Sequence, residues 1–168
     1  MSIILENLKD KCWHYWTKFS FGATSGIMTN LGLIVGLDKL AHPKTSIIGA
    51  ILVIAIADNI SDSVGIHLYK EAEHITNREV LSSTLTNFLA RPVISLTFII
   101  FIAVLPIKLA VLCSLAWGLG LLAIMSYTSA KERGANIYIE VLEHIIIALF
   151  VVIASKFAGQ WIIHKFSV

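Results

Sequence analysis

Two aspartates, Asp58 and Asp62, stand four residues apart inside a segment that is continuously apolar from Ile47 to Ala57 before it reaches them. On a helix that spacing puts both carboxylates on one face, with Gly65, Tyr69 and Glu73 continuing the line. The apolar run alone reaches only about 16 Å, so a helix that crosses a bilayer must continue through Asp58, Asn59, Ser61 and Asp62. Counted from Thr45 at the outer surface, Asp58 lies about 20 Å deep and Asp62 about 26 Å. A charge in mid-bilayer costs at least about 2.5 to 3.5 kcal/mol on insertion scales, and needs a partner, an ion or a water-filled path. Two neighbouring carboxylates repel in a low dielectric unless one holds a proton or a cation lies between them. The chemistry this predicts is cation binding coupled to proton exchange. The plainer alternative is that both carboxylates cap or cross-link helices.

Two further clusters have ligand chemistry. His67, Glu71 and His74 fall at i, i+4 and i+7, a spacing that suits iron, manganese or zinc, and equally a solvated helix end. Glu140, Glu143 and His144 repeat the pattern at i, i+3 and i+4, close to the Glu-x-x-His pairs of di-metal bundles. Ordinary charges at a helix end would look the same. The two cysteines, Cys12 and Cys113, are far apart in sequence and form neither a disulfide framework nor a CxxC site. No P-loop, nucleophile elbow or HExxH is present, so neither an ATP-driven pump nor an intramembrane hydrolase is supported and no enzyme activity is expected.

The elements that position these residues follow from composition. Of 168 residues, 57% are hydrophobic and 14% charged, and the mean hydropathy is +0.80. Soluble domains run near 45 to 50% apolar and about 25% charged, so the expected fold is all-α, a polytopic five-helix transmembrane bundle forming a single domain over 1–168. Residues 2–19 place Ile4, Leu8, Cys12, Tyr15, Trp16 and Phe19 at helical spacing, which predicts an interfacial amphipathic helix. Spans follow at about 20–37, 45–66 with a cytosolic extension to 75, 92–107, 109–128 and 139–163. Gly22, Gly26, Gly32 and Gly36 form two GxxxG pairs in the first span, the spacing of close helix packing in lipid. Arg91-Pro92 reads as the start of the third span.

Five spans put the termini on opposite sides. With the N-terminus in the cytosol, inside segments hold eight basic residues, Arg91 among them, against five outside, the bias of the positive-inside rule. The formal charge of +2 gives no reason to expect nucleic acid.

Two segments resemble a known family. Phe21-Gly22-Ala23-Thr24-Ser25-Gly26-Ile27-Met28-Thr29 is similar to the first-helix signature of the vacuolar iron transporter family, F-G-x-x-D-G-x-x-[ST]. Ala57-Asp58-Asn59-Ile60-Ser61-Asp62-Ser63-Val64-Gly65 is similar to its second-helix signature, A-[DG]-G-x-S-M-x-x-G. The resemblance implies a dimeric, five-helix transporter that moves ferrous iron, often manganese, out of the cytosol in exchange for protons, with the ion path along the first two helices. Ser25 occupies the place of the family's first-helix aspartate and Asp62 that of its second-helix methionine, whereas Ser61 and Gly65 keep theirs. Asp62 then compensates for the lost charge across a path lined by Ser25, Thr29, Asn30, Asn59 and Ser61, or the site has shifted toward harder cations. The segment from Ile75 to Ala90 is too short for the family's glutamate-rich cytosolic domain.

The expected function is export of a divalent cation, Fe2+ or Mn2+, as transported substrate with no permanently bound cofactor. Asp58, Asp62, His67, Glu71, His74, Glu140, Glu143 and His144 are the expected ligands. The expected partners are the lipid bilayer and a second copy packed through the glycine face of the first helix. The membrane would be the inner membrane of a prokaryote or a vacuolar-type membrane. The rival expectation is a metal sensor or assembly protein without transport on the same scaffold.

Overall fold

The computed structural model describes residues 2–73 and 77–166, and all five elements in it are α-helices. They are α1 (Ser2–Leu37), α2 (Pro43–Ala72), α3 (Asn77–Val104), α4 (Ile107–Arg133) and α5 (Ile137–Phe166). Four carry stretches long and apolar enough to cross a membrane: Pro43–Tyr69, Thr84–Val104, Ile107–Arg133 and Ile137–Phe166. Their outward faces present Val53, Ile56, Ile60, Val104, Phe150 and Phe157, the surface that lipid covers. The chain is a multi-pass, all-helical membrane protein.

Short connections fold successive helices back on one another. Pro43 occupies the first turn of α2, where its missing N–H costs nothing. Gly134, at φ 64°, ends α4 in the left-handed conformation and donates its N–H to the α4 carbonyls of Ala130 and Lys131. The Asn136 side chain then accepts from the N–H groups of Tyr138 and Ile139, which starts α5.

Two elements differ from expectation. The amphipathic segment 2–19 and the first span form one continuous helix of 36 residues. No proline or glycine lies between Ser2 and Phe21 to stop a helix. In addition, α3 begins at Asn77 and passes straight through Pro92. A proline deprives the carbonyl four residues earlier of its donor. That carbonyl belongs to Phe88, and Asn59 of α2 donates to it from Nδ2 at 2.6 Å. A side chain from the neighbouring helix thus replaces the bond that proline removes, as lipid-embedded backbone requires.

The centre of the bundle is α1, which packs against all four other helices. Its Ala23, Ile27, Leu31 and Ile34 are fully buried, with Ile47 and Ile51 of α2, Phe98 and Ile102 of α3, and Leu122 of α4 around them. The glycines set its distances. A Cβ on Gly22 would lie 2.9 Å from the Asn87 carbonyl oxygen of α3, and one on Gly32 would lie 2.8 Å from the Ser155 hydroxyl of α5. Gly36 faces the Ser155 backbone, and Gly159 of α5 faces the Gly36 carbonyl. The glycine face of α1, expected to pack against a second copy, therefore packs against α3 and α5 of the same chain.

Candidate functional site: an arginine held by two aspartates

Ser25, Asp58, Asp62 and Arg91 come together from three helices. Being four residues apart on α2, Asp58 and Asp62 project one turn apart toward α3. There the Arg91 guanidinium donates from one terminal nitrogen to Asp58 at 3.2 Å, and from the other to both Asp62 and the Ser25 hydroxyl. Gly26 makes room for the arginine stem, since a Cβ there would approach its Cγ to 3.2 Å. Asp62 lies ten residues before the end of α2 at Ala72, and Arg91 fourteen residues after the start of α3 at Asn77. They are therefore about 15 Å and about 21 Å along their helices from those ends.

The burial is uneven. The Arg91 side chain is 3% exposed, against 49% for Asp58 and 36% for Asp62. A guanidinium stays charged at any physiological pH, so this is a permanent cation enclosed by protein whose counter-ions reach the outer face of α2. The cation that two neighbouring carboxylates require is supplied by the chain itself.

A second polar layer lies one turn deeper. Asn30 of α1 donates to the Ser95 hydroxyl of α3 at 3.0 Å, both residues buried. Between this pair and the arginine, Gly26, Thr29, Asn30, Arg91 and Ser95 help to enclose a cavity of about 10 Å³, about the size of one water. Thr29 also borders the groove between α1 and α5. On the α3-facing side of α2, Asn59 and Ser63 are buried, and Asn59 Oδ1 and Ser63 Oγ have no hydrogen-bond partner among the described residues.

The other expected ligands lie apart from this cluster. His67 and Glu71 pair at 3.3 Å and are about half exposed, while His74 lies outside the described residues. Glu140 accepts from Arg133 at 2.8 Å, His144 Nδ1 sits 2.8 Å from the Glu140 carbonyl oxygen, and Glu143 is exposed. Both groups are at the end of the bundle where α2 finishes and α5 starts. Among the described residues no three His, Cys, Asp or Glu side chains converge on one point. Of the expected path residues, Ser25 bonds Arg91, Asn30 bonds Ser95, Asn59 bonds the α3 backbone, and Ser61 faces outward from α2.

Arg91 is the residue that sequence reasoning misplaced, as a basic flank at the start of a span. With it inside the bundle, the basic count expected for the cytosolic side falls from eight to seven against five. The overlooked signal was the segment Thr84 to Ala90, which extends the apolar window of α3 to the N-terminal side of Arg91. No protein-family model, curated protein or solved structure matches this chain.

Proposed function

We propose that this protein is a membrane transporter that moves a divalent cation out of the cytosol in exchange for protons. The observation that carries the reading is the pair Asp58 and Asp62, partly exposed carboxylates inside a span that share one buried guanidinium. Ionisable residues inside a span commonly mark the path of a permeating charge. Here they are kept together by an internal cation that an incoming one can displace. Ser25, Thr29 and Asn30 add neutral oxygen ligands along α1. The His67–Glu71 pair and the Glu140, Glu143 and His144 group would collect cations at the cytosolic end. Iron and manganese are the first ions to test, on the strength of the family resemblance.

The reading includes a homodimer with cytosolic N-termini. The outer face of α2 exposes Ala57, Ser61 and Gly65 at successive turns beside the two carboxylates. Small residues at that spacing favour close helix approach, and a second copy seated there would shield the carboxylates from lipid. The test is uptake of Mn2+ or Fe2+ into proteoliposomes, with a pH indicator reporting counter-flow. Wild-type protein should give flux that Asp58→Asn with Asp62→Asn abolishes, and undiminished flux in that variant would sink the proposal. One observation favours a non-transporting sensor or assembly protein instead: no third His, Cys, Asp or Glu joins the two aspartates among the described residues. That reading predicts cation binding without flux.

A further inference from the structure

The Asp58, Asp62 and Arg91 cluster has a charge count that selects among cations. Two carboxylates and one guanidinium leave a single negative charge. The cluster is walled by α1, α2 and α3, and residues 19–37 of α1 contain no Asp, Glu, Lys, Arg or His to alter that sum. The charged residues of α4 are at its ends: Lys108, Lys131, Glu132 and Arg133. On α2 the nearest other titratable group toward the C-terminal end is His67, which pairs with Glu71. One added positive charge makes the cluster neutral, whereas a dication on top of Arg91 would leave a net positive charge between apolar spans.

We infer that, with Arg91 in place, this site binds one monovalent, sodium-sized cation, and that Arg91 excludes divalent cations until it leaves the carboxylates. A second observation points to a ligand here. The residues that follow each aspartate, Asn59 and Ser63, are 1% and 6% exposed, and their Oδ1 and Oγ have no hydrogen-bond partner among the described residues. Buried polar atoms are nearly always paired, and hard oxygen donors beside a carboxylate suit a hard cation. The inference deepens the transport reading and rests on it, for it makes Arg91 the residue that alternates the site between one monovalent charge and one dication.

The experiment uses purified full-length protein in detergent micelles. Mn2+ binding is read by the electron paramagnetic resonance signal of free Mn2+, and thermal stability in NaCl is compared with choline chloride at equal ionic strength. Arg91→Gln should bind Mn2+ at least tenfold more tightly than wild type, and Arg91→Lys, which keeps the charge, should not. Wild-type protein should melt higher in NaCl than in choline chloride, and equal melting in the two salts would overturn the inference. Asp62→Asn makes the cluster neutral and should lose that dependence. Equal Mn2+ affinity in wild type and in folded, monodisperse Arg91→Gln would overturn the inference. Should Arg91→Gln not fold, a monovalent dependence that persists in Asp62→Asn overturns it. Binding that follows this pattern without flux in proteoliposomes would instead refute the transport reading and leave the charge selection standing.

Discussion

Neutralising both carboxylates while Arg91 stays in place isolates the cost of an unpaired cation inside the bundle. In Asp58→Asn or Asp62→Asn alone, the guanidinium keeps one carboxylate and the Ser25 hydroxyl. A hydrogen bond to a charged group contributes about 1.5 to 3 kcal/mol, and each single loss should fall near the low end, because these carboxylates are 49% and 36% exposed. In the double variant a guanidinium only 3% exposed has no carboxylate at all, and the cost should rise to about 3 to 5 kcal/mol. Replacing Arg91 by Met in that double variant should then restore about 2 kcal/mol or more, since an ionic group exchanged for an apolar one of similar size is often neutral. The expected stability order is wild type, either single variant, the triple, and the double lowest or level with the triple only if rescue fails. Reversible unfolding in bicelles by steric trapping measures these differences directly. A triple variant no more stable than the double would refute the argument that Arg91 is a buried charge held by Asp58 and Asp62.

Two further predictions concern how the site is positioned. Asn59→Leu removes the donor that α2 gives the Phe88 carbonyl and should cost about 1 to 3 kcal/mol. Because Pro92→Ala returns a backbone N–H to that carbonyl, Asn59→Leu should cost at least about 1 kcal/mol less in the Pro92→Ala background. A double-mutant cycle with no coupling would count against the bond. A Cβ on Gly159 would meet the Gly36 carbonyl, 2.8 Å from its carbon, so Gly159→Ala should destabilise by about 1 to 3 kcal/mol through overpacking. Gly120→Ala, where a Cβ meets nothing within 4 Å, should stay within about 0.5 kcal/mol in thermal melts.

The sequence alone determined the solvent and the helices. A composition of 57% hydrophobic and 14% charged residues leaves few ways to satisfy backbone polar groups other than helices in lipid. The spacing of Asp58 and Asp62 placed them on one face because helical geometry is local. The glycines of α1 announced close packing for the same reason. What covers each face is not a local property, and the tertiary structure decided it. It made α1 the central helix, so its glycines meet α3 and α5 of the same chain. It carried α3 through Pro92 because a side chain on another helix, Asn59, satisfies the Phe88 carbonyl. It also brought Arg91, 29 residues along the chain from Asp62, into the middle of the aspartate pair. Periodicity can say that two carboxylates need a cation between them, but only the packing of three helices supplies it.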